Sequence, residues 1–168
     1  GSRVEGNVVG QRGGGLAALG NASVTIIGGS IVQGNRASQS GGGVSVGEGA
    51  QVAIINSSVQ GNTAGQRGGG LVMFDSARLA VAGASSISNN KAAWDGGGLD
   101  AEGNSTVTIT GGSIVQGNMA GQGGGGLVVM GNASVVIAGG SNISKNVARF
   151  GGGGLVVMGN ASVVIAGG

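Results

Sequence analysis

A motif of three glycines followed by leucine or valine recurs along the whole chain at a nearly constant interval. Its fourth residue stands at Leu16, Val44, Leu71, Leu99, Leu127 and Leu155. Successive copies are 28 residues apart, except for one step of 27. A period of about 20 to 50 residues is typical of solenoids, in which each repeat is stable only when it stacks on its neighbours. The repeat therefore predicts a stacked array rather than a globule with a single centre.

A second motif recurs in phase with the glycines and ends in an asparagine. A valine or isoleucine stands three residues before this asparagine, and an alanine stands two residues after it in all copies but the first. In a stack of coils, equivalent side chains lie one strand spacing apart, so we expect a ladder in which each amide bonds its copies above and below. The predicted ladder consists of Asn7, Asn35, Asn62, Asn90, Asn118 and Asn146.

A third run, read in several copies as Asn-Ala-Ser-Val-x-Ile, places β-branched residues at alternate positions. Such alternation between Gly and Asn is typical of a short β-strand. Each repeat thus holds three short strands and three bends, with no helix-forming run between them. This pattern predicts an all-β fold, a right-handed parallel β-helix solenoid of about six coils with three short strands per ~28-residue coil, forming one domain over residues 1–168.

Composition removes several other classes of protein. Glycine supplies 43 of the 168 residues, and without a period that content would indicate a disordered segment. Proline and cysteine are absent, which excludes a collagen helix and a disulfide framework. A net charge of +2 argues against binding nucleic acid by electrostatics. No run of about 18 apolar residues is present, so no transmembrane helix is predicted.

The two phased motifs resemble a known family of repeats. GGGL or GGGV together with Val/Ile-x-x-Asn resembles the GGA[I/L/V] and FxxN repeats of chlamydial polymorphic outer-membrane proteins, and it is similar to the broader pectate-lyase-like β-helix class. Here Gly replaces the family's Ala and Val or Ile replaces its Phe, which favours a shared architecture over shared ancestry. The resemblance implies a surface-displayed β-helix that acts in adhesion.

The chain opens at Gly1-Ser2, without an initiator Met or a signal peptide, and it closes in the phase at which its first residues would follow. No capping segment is evident at either end, although solenoids normally carry polar caps. Three interpretations remain open. The sequence is a window of a longer array, a unit that stacks end to end with copies of itself into a filament, or an idealised array.

Acidic residues gather in the middle repeats. Asp75, Asp100 and Glu102 are candidates for acid–base chemistry on a polysaccharide, or for a Ca²⁺ site, if they face outwards. We favour a solubilising surface instead, since no row of basic residues accompanies them to hold an acidic sugar. The sequence therefore predicts no enzyme, no catalytic residues, no cofactor and no metal.

Two further sets of residues are candidate surface contacts. Basic residues concentrate in the bend between the asparagine and the glycines, among them Arg36, Arg67 and Lys91, and they either meet anionic glycans or are simply tolerated there. Trp94 and Phe150 occupy one repeat position that is otherwise glutamine. An aromatic side chain there either stacks on sugars or a neighbouring fibre, or packs on the next bend.

Six Asn-x-Ser/Thr sequons are candidate N-glycosylation acceptors on a secreted chain, although four of them share a turn position that suits asparagine in any case. They are Asn21, Asn56, Asn104, Asn132, Asn142 and Asn160. Taken together, the sequence predicts an extracellular or cell-surface structural and adhesive protein, with copies of itself and cell-surface glycans as partners. The alternative is a β-helix that binds or cleaves polysaccharide.

Overall fold

The computed structural model describes residues 1–167, so Gly168 of the predicted domain lies outside the described residues. These residues form 24 short strands and no helix. The strands belong to four sheets of six, and within each sheet every strand is followed by its equivalent from the next coil. All strand pairs are parallel. The molecule is therefore a parallel β-solenoid of six coils, as the period predicts.

Sheets 1 and 2 lie on either side of the asparagines. Sheet 1 consists of β1 (Arg3–Glu5), β5 (Ile31–Gln33), β9 (Ser58–Gln60), β13 (Ser86–Ser88), β17 (Ile114–Gln116) and β21 (Asn142–Ser144). Sheet 2 consists of the two-residue strands β2 (Val8–Val9), β6 (Arg36–Ala37), β10 (Thr63–Ala64), β14 (Lys91–Ala92), β18 (Met119–Ala120) and β22 (Val147–Ala148). The three predicted strands of each coil are present, and sheet 2 adds a fourth, very short one.

Sheets 3 and 4 follow the glycine motif. Sheet 3 consists of β3 (Leu16–Ala18), β7 (Val44–Val46), β11 (Leu71–Met73), β15 (Leu99–Ala101), β19 (Leu127–Val129) and β23 (Leu155–Val157). Sheet 4 consists of β4 (Ser23–Ile27), β8 (Gln51–Ile55), β12 (Arg78–Ala82), β16 (Thr106–Ile109), β20 (Ser134–Ile137) and β24 (Ser162–Ile165).

The interior is built from columns of identical or similar apolar side chains. Residues 28 or 27 apart pair directly, as Leu71 pairs Leu99 and Ile26 pairs Ile54. Alternate residues of sheets 1, 3 and 4 point into the tube, where side chains such as Ile87 and Leu127 are fully buried. Burying each Leu or Ile contributes about 1.5 to 3 kcal/mol, and this gain requires a neighbouring coil on both sides.

The six ladder asparagines lie directly above one another at the corner between sheets 1 and 2. The backbone N–H and the Nδ2 of each asparagine both donate to Oδ1 of the next, as Asn62 does to Asn90 at 2.9 and 3.0 Å. The same Nδ2 also donates to a sheet 1 carbonyl in the preceding coil, as Asn90 does to Val59 at 3.0 Å. The side chains of the four central asparagines are buried, and each has hydrogen-bond partners in both neighbouring coils.

The third glycine of the GGG motif packs against this ladder. A Cβ added at Gly43, Gly70 or Gly126 would lie 2.9 Å from the Nδ2 of the neighbouring asparagine. It would also meet the carbonyl oxygen of the equivalent glycine in the next coil. An alanine at this position would therefore force the ladder or the neighbouring backbone to shift.

One coil is a residue shorter than the others, and the difference is confined to the corner between sheets 4 and 1. The first coil crosses this corner with three residues, Gly28 to Ser30, whereas the second crosses it with two, Asn56 and Ser57. The strands on both sides remain in register, since Ile27 pairs Ile55 and Ile31 pairs Ser58. The corner therefore absorbs the missing residue without disturbing the stack.

Candidate functional site

The bends between sheets 2 and 3 stack into a continuous row on the outside of the tube. At this row the backbone N–H of each residue donates to the carbonyl of its equivalent in the preceding coil, at 2.7 to 3.0 Å. We call this the bend row. It consists of Gln11, Gln39, Gln66, Trp94, Gln122 and Phe150. The bend row holds side chains at fixed intervals along the axis, which is the geometry needed to contact an elongated partner.

The bends also cover the outward face of sheet 3, so a second layer of buried side chains lies outside the main core. Val72 and Val128, at the middle of their strands, are 4% and 0% exposed. A Cβ on Gly41 would lie 2.7 Å from a methyl group of Val72, which shows how closely the glycine bend approaches the strand. We call this column the outer layer. It consists of Ala17, Ser45, Val72, Asp100, Val128 and Val156, of which the four central residues are buried.

Asp100 belongs to this outer layer, so its side chain points away from the tube interior but lies beneath the bend instead of on the exposed surface that acid–base chemistry would need. Its side chain is fully buried, and neither carboxylate oxygen has a hydrogen-bond partner among residues 1–167. Burial above all, together with the negative charge of Glu102, raises the pKa of Asp100 to about 8, although the positive charge of Arg67 opposes this shift. Asp100 therefore carries a proton at neutral pH and does not reach a substrate on the surface.

Arg67 reaches across the groove between the bend row and the end of sheet 3. Its Nη1 donates to Oε1 of Glu102 at 2.6 Å, and its Nε lies 3.9 Å from Oδ2 of Asp95. The other oxygen of Asp95 accepts a hydrogen bond from the backbone of Gly123 at 2.9 Å. The hydrogen bond with Glu102 raises the pKa of Arg67. Arg67 is thus held by two carboxylates, and the predicted acidic cluster is partly neutralised by it.

Aromatic side chains line the same groove one coil earlier. The ring of Phe74 covers Gly47, where any Cβ would collide with it, and the guanidinium of Arg12 lies 4.9 Å from the ring centroid. Together with Arg67, Glu102 and the 43% exposed Trp94, these residues line a cleft of about 260 Å³. Sequence reasoning missed Phe74 as a groove residue. The available signal was that the equivalent position in the preceding coil is a glycine, Gly47, which leaves room for the ring.

The predicted basic residues occupy two separate columns. Arg36 and Lys91 lie on the exposed face of sheet 2, two coils apart, with Thr63 between them. Arg67 lies in the groove, where it is paired with carboxylates. The structure therefore does not bring these three residues into one seam.

Asp75 also stays outside the groove floor. It lies in the exposed turn after sheet 3 with a left-handed backbone at φ 57°.

The six sequon asparagines are all exposed, at the corners beside sheet 4 or, for Asn142, on sheet 1. Asn132 donates to Asn104 at 3.2 Å across one coil. No cluster of three or more His, Cys, Asp or Glu suited to a metal ion occurs within residues 1–167.

Within that same range, no helix has the length and the apolar character needed to cross a membrane. No curated protein and no solved structure matches the chain. One family does match, described as the right-handed β-helix region, and its match covers residues 1–167. Together with the parallel four-sheet stack, this match shows that the chain belongs to the right-handed β-helix family.

Proposed function

We propose that this β-helix is a structural and adhesive element of the cell exterior, and that its coils continue by end-to-end stacking into a filament. The supporting observation is the asparagine ladder, in which every amide points the same way. At the first coil, Asn7 donates to Asn35, which leaves its Oδ1 to accept from a coil stacked before it. At the last coil, the Oδ1 of Asn146 accepts from Asn118, and its backbone N–H is left to donate to a coil stacked after it. Acceptor and donor are complementary, whether the next coil belongs to the same chain or to a second copy.

The apolar columns support the same stacking. At the first coil, the side chains of Val4, Leu16 and Val24 line an open mouth of the tube. At the last coil, Leu155 and Val163 pack on the core from the other side and remain half-buried. A coil stacked on either face would bury the apolar side chains there and would extend all four sheets, so the strand edges at that face would be paired. The two faces differ, so such an interface is head to tail and generates a fibre instead of a closed dimer.

Two charged variants of the 168-residue chain test whether the copies assemble through these two end faces and through no other surface. Val24→Lys blocks the first face and Val163→Lys blocks the last, and each variant keeps one face intact. We expect the wild-type chain to form fibres in electron micrographs, each variant alone to sediment as a monomer, and an equimolar mixture to sediment as a dimer. Val8→Lys, on the 75% exposed side wall, is the matched control and should still form fibres.

Two outcomes contradict the proposal. One is a wild-type chain that stays monomeric at high concentration, and the other is a mixture of the two variants that stays monomeric.

The alternative of polysaccharide cleavage by Asp75, Asp100 and Glu102 has less support, because Asp100 is buried in the outer layer. The extracellular location and the adhesive role rest on the resemblance to surface-displayed repeats, and surface labelling of the native cell would test them.

A further inference from the structure

We propose that the bend row binds an extended, neutral β-1,4-linked glycan that runs along the solenoid axis, with Trp94 and Phe150 as its stacking platforms. This inference goes beyond end-to-end assembly and does not depend on it. A chain that stays monomeric would carry the same row. The argument rests on spacing, exposure and the balance of charge around the two rings.

The spacing follows from the hydrogen-bonded backbone of the row. Gln122 donates to Trp94 and Phe150 donates to Gln122, each at 2.7 Å, so the two aromatic residues stand two strand spacings apart. That distance is roughly 10 Å. A β-1,4-linked chain turns over at each sugar, so that the same ring face returns at every second residue, after nearly this distance. One sugar therefore meets Trp94, the next lies over Gln122, and the third meets Phe150.

The chemistry of the row suits a sugar chain. Aromatic residues are 2% of the chain, yet two of them occupy this one column, and Trp94 and Phe150 are 43% and 63% exposed. Their faces offer apolar surface to the C–H groups of a pyranose ring. The intervening Gln122 offers an amide that both donates and accepts, which matches hydroxyl groups. Arg149 lies 5.2 Å from the centroid of Phe150, so the sugar stacks on the opposite face.

The charges near Trp94 favour a neutral ligand over an anionic one. Arg67, which lines the cleft together with Trp94, is already paired with Glu102 and lies close to Asp95. An anionic sugar placed on Trp94 would meet these two carboxylates and no unpaired guanidinium of Arg67. Stacking on neutral rings, in contrast, is little affected by salt.

Calorimetric titration with cellohexaose tests the proposal, with Trp94→Ala and Phe150→Ala as the loss variants. Each should raise the Kd about tenfold, and the double variant should abolish measurable binding. Met119→Ala removes a side chain that is 47% exposed on sheet 2, and this control should leave the Kd unchanged. Thermal melts of all variants establish that the fold persists, because these residues lie on the surface.

A phase experiment distinguishes the proposed geometry from general stickiness. Gln39→Trp places a third aromatic two coils before Trp94, in phase with the glycan repeat, and should lower the Kd about tenfold. Gln66→Trp places it one coil away, out of phase, and should lower the Kd much less. Equal gains from both variants would overturn the two-coil assignment.

Two further results would overturn the proposal as a whole. One is no binding of cellohexaose at millimolar concentration. The other is binding only to a sulfated hexasaccharide, lost on raising the salt concentration, which would assign the surface to its basic residues instead. Repeating the titration with the monomeric Val24→Lys variant separates this result from end-to-end stacking, since the bend row is intact there.

Discussion

The asparagine ladder and the outer layer both run the length of the molecule, yet one is invariant and the other varies from coil to coil. The ladder holds asparagine in all six coils, whereas the outer layer holds alanine, serine, valine and aspartate. A buried amide must find donors and acceptors on its copies, so a single change leaves several polar groups unpaired. The outer layer needs only a side chain of suitable volume under the glycine bend. Stacking enforces identity where hydrogen bonds run along the axis and relaxes it elsewhere.

The largest effect should follow from breaking the ladder at its centre. Asn90→Ala removes the Oδ1 that accepts from both Asn62 N–H and Asn62 Nδ2, and it leaves the carbonyl of Val59 without its donor. We expect the free energy of unfolding to fall by about 3 to 6 kcal/mol, measured by urea denaturation. Asn142→Ala, at an exposed asparagine, should change it by less than about 0.5 kcal/mol. Equal losses from both would show that the ladder contributes little.

The next effect should have the opposite sign. Asp100→Val gives the outer layer the residue found in the adjacent coils at Val72 and Val128, and it removes a buried carboxyl without partners. Folded Asp100 holds its proton to about pH 8. Wild-type stability should therefore fall as the pH rises from about 4 to about 8, relative to the variant, which lacks this slope. Near pH 7 the variant should be more stable by on the order of 3 kcal/mol.

Thermal denaturation over that pH range measures the difference between the two proteins. Asp75→Asn is the matched control, because it removes an exposed carboxylate and asparagine tolerates the left-handed backbone there. It should keep the wild-type slope. If Asp100→Val keeps that slope as well, or is less stable than the wild type at pH 7, the account of Asp100 is wrong.

A smaller effect should come from Gly98, the third glycine of its motif, which lies between the asparagine ladder and the outer layer. Gly98→Ala adds a Cβ 2.6 Å from the carbonyl oxygen of Gly126 and 3.0 Å from the Nδ2 of Asn118. Gly98 does not have a left-handed backbone, so the expected loss of about 1 to 3 kcal/mol is steric. Gly10→Ala, where an added Cβ meets nothing within 4 Å, should be neutral by the same denaturation measurement. A neutral Gly98→Ala would mean that the ladder can move aside.

The smallest effect concerns the ion pair above Asp100. Glu102→Gln removes a half-exposed pair with Arg67 and should lower stability by less than about 1 kcal/mol. It also removes a negative charge that raises the pKa of Asp100, so that pKa should fall while burial still keeps it above its usual range. Carboxyl chemical shifts during an NMR titration report this change. Glu5→Gln, in the exposed pair with Arg3, should leave the pKa of Asp100 unchanged.

The contrast between the invariant ladder and the variable outer layer also explains which features could be predicted from the sequence. Strands, coil number and the stacking of the asparagines follow from a period so regular that each position predicts its neighbours above and below. The two-residue strands of sheet 2, such as β6, are too short to show any alternation. The burial of Asp100 depends on a bend folding back over sheet 3, which no local pattern reveals, although Val72 and Val128 in the same column were a signal.

The groove was the least accessible part of the molecule to sequence reasoning. Trp94 was identified as a surface contact by its repeat position, but the residues that line the cleft with it come from four different coils. Phe74 contacts Arg12 because the intervening coil carries Gly47, so the contact depends on a missing side chain. Such pairings require knowledge of side-chain reach in addition to register.

The shortened corner between sheets 4 and 1 has a consequence for how such a molecule can diversify. Since one residue is lost there while Ile27 and Ile31 keep their partners, loop length at this corner is uncoupled from the register of the strands. A Cβ on Gly28 or Gly29 would meet nothing within 4 Å, so this corner opens to solvent in the first coil. Insertions should therefore accumulate at this edge during evolution, and a peptide grafted there would be displayed at regular intervals without loss of the scaffold.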